Sequence, residues 1–268
     1  MNRGIPTPFA DTYDTPPDTP RYLLDRLIGT RWNLYLRYAG VVFTSRRLAV
    51  RGRYDDRQWV DSSLAILRHV ERCGGRIHLR GLDNLRGPEG GVVIISNHMS
   101  AAETQLFPGI IAPIRPVTFV VKQSLVTHPI FGPVMRSRDP IVVGRKDPRA
   151  DMATVLSKGA ELLARGVSVI VFPQATRRVV FVPEKFNSLG IKLARAAGAQ
   201  VIPAAVKTDF WGNGGLLRDF GPVRRQKPIY MAFGPPLTVQ GNGRAQHQAV
   251  VEFVQDHLNQ WESEVSRE

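Results

Sequence analysis

The sequence carries one cysteine, Cys73, in 268 residues. A lone thiol excludes an internal disulfide and a cysteine-built metal site, and it suits a cytosol-facing compartment. Standing just before Gly74-Gly75, it reads as a small packed residue. Long apolar runs are missing too. A membrane-spanning helix needs about 20 apolar residues with few charges, whereas the most apolar stretch, Tyr22 to Val50, is broken by Arg26, Arg31, Arg37 and Arg46. The N-terminal stretch is polar and rich in Pro and Asp, without a basic start and apolar run, so no secretory leader is expected. No Gly-x-Ser-x-Gly elbow occurs, which argues against a serine hydrolase of the α/β type. His69, His78, His98, His128, His247 and His257 show no metal-ligand spacing, and no metal is expected. Acidic residues are the minority, 23 against 36 Lys plus Arg, for a formal net charge of +13. That excess favours an anionic membrane surface, phosphorylated substrates or nucleic acid. The arginines are scattered instead of lining one helix face and no recognition motif is present, so nucleic acid is not an expected partner.

What is present suits one α/β domain with an appendage. Residues 1–20 hold five prolines and read as a flexible tail. Residues 21–54 mix Leu23, Leu24, Leu27, Trp32, Tyr35, Tyr38 and Phe43 with spaced arginines. That mixture predicts a helical, amphipathic membrane-contact region, rings at headgroup level and cations on lipid phosphates. Packing on the main domain is the competing reading. Residues 55–268 form the α/β domain. Trp59, Val60, Leu64, Leu67 and Val70 recur at helical spacing over Asp55 to Cys73. Strands are predicted at 76–80, 92–96, 117–121, 141–143, 167–172, 201–206 and 229–233. Helices are predicted at 101–111, 151–165, 186–197 and 245–264. This alternation predicts a mostly parallel or mixed central sheet flanked by helices.

Binding groups in such sheets gather beyond the carboxyl ends of strands, and three stretches place polar residues there. Val92 to Ser96 runs into Asn97-His98, with Glu103 five residues on. Two helical positions five apart point about 140° away from each other, so the workable geometry puts His98 in a turn and Glu103 in the first helical turn. Glu103 then reaches back to one ring nitrogen and leaves the other free to take a proton from a hydroxyl. A satisfied structural histidine is the bland alternative. Val169 to Phe172 ends at Pro173-Gln174-Ala175-Thr176-Arg177-Arg178, and arginine suits bidentate phosphate recognition. Lys122 and Arg145 each follow a β-rich run and would project into the same cleft as Arg177. Val201-Ile202-Pro203 reads as a buried strand interrupted by proline.

In this order the four segments resemble the motifs of the glycerophospholipid acyltransferase family. Asn97-His98 with Glu103 resembles its Asn-His-x-x-x-x-Asp, and Lys122 to Arg145 its second motif. Phe172 to Arg177 resembles Phe-Pro-Glu-Gly-Thr-Arg, and Val201-Ile202-Pro203 the fourth motif. The resemblance spans roughly Gly75 to Leu237. It implies transfer of a fatty acyl chain from acyl-CoA or acyl carrier protein thioester to the free hydroxyl of a lysophospholipid such as 1-acyl-sn-glycerol-3-phosphate. No cofactor is implied beyond that co-substrate. His98 is implied as general base and Glu103 as its orienter. Lys122, Arg145, Thr176 and Arg177 are implied to bind the acceptor, with Asn97, Pro173, Gln174 and Pro203 as motif support. Membrane lipids are the implied partners, at the cytoplasmic face of the cell membrane. Glu103 for Asp, Gln174 for Glu and Ala175 for Gly are departures. They leave a non-catalytic lipid-binding relative, or an acceptor such as an acyl-ornithine lysolipid, as alternatives.

Overall fold

The computed structural model describes residues 5–29, 31–174, 176–215 and 219–266. Eight strands form one sheet: β1 (Tyr13–Asp14), β2 (Ile77–Arg80), β3 (Val93–Ser96), β4 (Val117–Lys122), β5 (Ile141–Val143), β6 (Ser168–Val171), β7 (Val201–Lys207) and β8 (Ile229–Phe233). Their order is β1-β2-β8-β7-β3-β6-β4-β5. From β7 to β5 every neighbouring pair is parallel, while β8 runs antiparallel to β7. The carboxyl ends of five strands therefore share one edge, where such sheets bind ligands.

The central strands are apolar at nearly every position because both faces are covered. Ile94, Ile170, Ile202, Ala204 and Val206 face one core. Val93, Ile95, Val169, Val171 and Val201 face the other. On the first face lie α2 (Arg31–Val50), α3 (Asp56–Arg72) and α5 (Ala102–Ile111); on the second lie α8 (Pro148–Ala164), α9 (Leu189–Ala197) and α10 (Arg244–Val265). Short helices α1 (Leu23–Ile28), α4 (Asp83–Arg86), α6 (Gln123–Val126) and α7 (Gly132–Arg136) complete the chain.

Two features of α3 and α5 bear on the site. Asp55 caps α3 by accepting from the Gln58 backbone N–H at 2.9 Å, a contact worth about 1 kcal/mol. Buried Trp59, Val60, Leu64, Leu67 and Val70 seat it, each contributing roughly 1.5–3 kcal/mol when fully buried. Ser63 of α3 then reaches into α5: its hydroxyl accepts from Gly109 N–H at 2.7 Å and donates to the Gln105 carbonyl at 2.6 Å. This bridge spans the turn around Pro108, which lacks an N–H. A side chain at Gly109 would come within 2.9 Å of the Ser63 hydroxyl, so glycine is what allows the close approach. α5 is thereby tied to α3 through Gln105 and Gly109.

The N-terminal stretch differs from the tail expected for it. Tyr13 and Asp14 pair antiparallel with β2, and Phe9 is buried. The hydroxyls of Tyr13 and Thr15 donate to the Glu71 carboxylate at 2.6 and 2.7 Å. Composition signals disorder there, but contacts to residues more than 50 positions away order it. The region 21–54 packs on the domain through Leu34, Tyr35 and Tyr38, all buried. The same helix exposes Trp32, Leu36, Phe43 and Val50, and α1 exposes Leu23, Leu24 and Leu27. Helix α2 is apolar on two sides. Asp25 anchors α1 from beneath, fully buried between Arg21 and Arg225. No helix among the described residues is long and apolar enough to cross a membrane.

Candidate active site

His98 lies in the turn between β3 and α5, with Glu103 in the first turn of α5. The His98 Nδ1 is 2.8 Å from Glu103 Oε1. Glu103 is fully buried and also accepts the backbone N–H groups of Met99 at 2.7 Å and Ser100 at 2.9 Å. Its other oxygen accepts the Thr208 hydroxyl at 2.7 Å. Burial alone would raise this carboxyl, but hydrogen bonds and charge from His98, with the Thr208 hydroxyl, outweigh it and hold the group below its ordinary range. An ionised carboxylate only accepts, so Nδ1 carries the proton in this contact. The imidazole is 17% exposed, which leaves it reachable from the strand edge.

The glutamate resolves its own departure from aspartate. Ser100-x-x-Glu103 is a capping box: the Ser100 hydroxyl accepts the Ala102 N–H at 3.0 Å, while the Glu103 carboxylate returns to the Ser100 N–H. Glutamate is the residue whose length closes that box, and the helix N-terminus further favours its charge. One side chain thus braces the start of the helix and holds the imidazole. The Ser-x-x-Glu spacing was legible and is the signal that would have predicted this geometry.

The other strand ends clamp the same turn. Phe172, just past β6, stacks on the imidazole with centroids 4.4 Å apart. Gln174, 2% exposed, accepts the His98 backbone N–H at 2.7 Å, and the Arg178 N–H donates to the His98 carbonyl at 2.9 Å. The uncharged Gln174 therefore supports the turn, and its missing charge falls on a backbone contact. Asn97 is splinted to β7, donating to the Val206 carbonyl and accepting the Val206 N–H, both at 2.8 Å. Pro203 sits in β7 opposite Ile95 and offers its carbonyl to Gly234 at 2.8 Å. Pro173 offers its carbonyl to Asn187. These three support the backbone.

The cations expected to share a cleft are spread along the edge. Arg177 is half-buried and ion-paired with Asp219. Lys122 caps α6 from the end of β4, and Arg145, left-handed at φ 60°, donates its N–H to Asp151 at 2.7 Å. At about 4.8 Å per strand, β4 stands about 10 Å from β3 and β5 about 14 Å. Lys122, Arg145 and Thr176 are exposed. Thr208, Ser100, Phe172 and Asp219 were not singled out from sequence. Thr208 meets Glu103 across 105 positions, and no local pattern announces that. Neither of two small cavities, about 250 and 170 Å³, borders His98.

Comparisons with known proteins point to one family. The profile of the Acyltransferase family matches residues 76–207. A 1-acyl-sn-glycerol-3-phosphate acyltransferase of Pseudomonas aeruginosa is 30% identical over 219 residues, 81% of this chain and 79% of that protein. The chloroplastic 1-acyl-sn-glycerol-3-phosphate acyltransferase LPAT1 of Arabidopsis thaliana is 30% identical over 163 residues, 58% of this chain and 44% of that one. The crystal structure of the 1-acyl-sn-glycerophosphate acyltransferase PlsC from Thermotoga maritima superposes with a TM-score of 0.64 at 16% identity, covering 88% of this chain and 96% of that one. At that identity the superposition speaks for the fold.

Proposed function

The chain belongs to the glycerophospholipid acyltransferase family, and on that premise we propose that it acylates the free hydroxyl of a lysophospholipid, 1-acyl-sn-glycerol-3-phosphate first among them, from acyl-CoA or acyl carrier protein thioester. The observation that carries the reading is the His98–Glu103 pair, a partly exposed imidazole held through Nδ1 by a buried carboxylate. His98 Nε2 takes the acceptor's proton as the hydroxyl oxygen attacks the thioester carbonyl. A tetrahedral adduct forms, the C–S bond breaks, and the imidazolium returns the proton to the departing thiolate. Glu103 keeps the tautomer and offsets the transient ring charge. Lys122, Arg145 and Arg177 supply cations for the acceptor phosphate.

The acceptor is a membrane lipid, and the N-terminal surface supports a peripheral seat on the bilayer. Leu23, Leu24 and Leu27 of α1 face outward, as do Trp32, Leu36, Phe43 and Val50 of α2. The α2 set follows helical spacing and so makes one apolar stripe. With a net charge of +13, the chain suits the anionic lipids of the cytoplasmic leaflet. The test is acyl transfer by purified protein from each thioester to a panel of lysolipids in vesicles. Formation of phosphatidate from lysophosphatidate supports the reading. Thioester loss without acylated lipid contradicts it.

A further inference from the structure

Arg177 stands in the segment implied to bind phosphate, yet it is paired with the carboxylate of Asp219. That contact is positioned by the surrounding loop. The Trp211 indole N–H donates to the Asp219 carbonyl at 2.8 Å, and the Tyr35 hydroxyl donates to the Gly221 carbonyl at 2.6 Å. The loop closes on itself, Trp211 bridging to Val223. Gly221 has no room for a side chain, since a Cβ would meet the Gly212 carbonyl at 2.1 Å. The same loop is tied to the catalytic turn, where Asn213 donates to the Met99 carbonyl at 2.9 Å. On the other side the Arg178 N–H holds the His98 carbonyl. Asp219 is therefore presented to Arg177 by a loop docked against the turn that carries the base.

One neighbouring polar group is left over. The Tyr38 hydroxyl is buried and finds no hydrogen-bond partner among the described residues. Burial pushes it upward, and the charges of Asp219 and Arg177 both act on it, in opposite directions. A buried hydroxyl without a partner is costly. Such a group beside an exchangeable ion pair suits a site completed by an incoming acceptor oxygen.

We propose that Asp219 is a specificity-determining residue, a resident anion on Arg177 that the phosphate of the lysolipid must displace. A phosphate outcompetes one carboxylate because it brings more charge and more acceptor oxygens to the guanidinium. A neutral acceptor cannot displace Asp219, so the pair stays closed and Arg177 contributes nothing to its binding. This rests on the acyl transfer proposed above and names the group that sets acceptor choice.

Asp219→Asn keeps size and shape while removing the charge. In titration calorimetry with inorganic phosphate, the variant is expected to bind about two- to fivefold more tightly than the parent, the range of a partly exposed ion pair. Its KM for lysophosphatidate falls by a similar factor with kcat little changed, and its KM for monoacylglycerol stays put. Arg177→Gln in the same background removes the gain. If the folded variant binds phosphate no more tightly, or more weakly, Asp219 is a structural partner of Arg177 and the proposal is overturned. Should Asp219→Asn melt well below the parent, Asp219→Ser supplies the same comparison. If no protein acylates any lysolipid, the functional reading fails, while the phosphate titration still decides the role of Asp219.

Discussion

The turn around His98 and the outer surface of α1 and α2 sit on one molecule but obey opposite rules. At the turn, the buried carboxylate of Glu103 accepts from a ring, two backbone N–H groups and a hydroxyl. On α2, Trp32, Leu36, Phe43 and Val50 are each more than half exposed. The family profile covers the first region and stops short of the second. The turn is over-determined and its carboxylate withdrawn from water, as the proposed proton transfer needs, since that requires one fixed geometry. The outer surface carries exposed apolar area instead, which costs solubility unless something covers it, as a bilayer would in the proposed peripheral seat. The two regions should therefore fail separately.

His98→Ala is expected to have the largest effect. Turnover drops by at least about a thousandfold, in the range for loss of a general base, while vesicle binding and the melting temperature stay near those of the parent. Parallel loss of vesicle binding would break the separation. Glu103→Gln comes next. The amide keeps the length but not the charge and can hold the ring in the wrong tautomer, so kcat should fall by about a hundredfold or more. Its pH signature has a fixed sign. Because the folded carboxyl is held below its unfolded value of about 4.5, its stabilisation is complete above that pH and is lost as pH falls through the folded value. Acid unfolding of Glu103→Gln should therefore be shallower than that of the parent, as followed by circular dichroism. An identical acid limb would mean that Glu103 is not ionised in the fold.

Replacing Trp32, Leu36 and Phe43 together with serine should weaken vesicle binding by about tenfold or more, read by flotation. Activity on a short-chain, freely soluble lysolipid should stay within twofold. Equal loss on both substrates would show that the stripe supports the fold. The smallest effect is expected from Thr208→Val, which removes one donor to Glu103. A few-fold fall in kcat with unchanged KM is predicted from steady-state kinetics. No change would leave the backbone N–H groups and His98 as sufficient partners for the carboxylate.

What could be read from sequence follows the range of the interaction. The strand at 229–233 was legible because apolar runs bounded by turn residues report burial locally. Asp55 to Cys73 was legible because helical periodicity does the same. His98 and Glu103 were legible as a pair, since a turn followed by a first helical turn brings two residues five apart within reach of each other. The β1 strand was missed because its pairing with β2 overrides a composition of Pro and Asp. Thr208 and Asp219 were missed because each acquires its role from a partner brought up by the sheet, 105 and 42 positions away. Helix α2 was half legible: its apolar residues were evident, but only the fold divides them into a packed side and an exposed one.

The most direct test of the central claim follows acylated lipid by mass spectrometry, with purified parent and His98→Ala, a long-chain acyl thioester and lysophosphatidate in anionic vesicles. The account predicts phosphatidate from the parent and none above background from the variant, with both proteins bound to the vesicles. Equal product from the two proteins would contradict it.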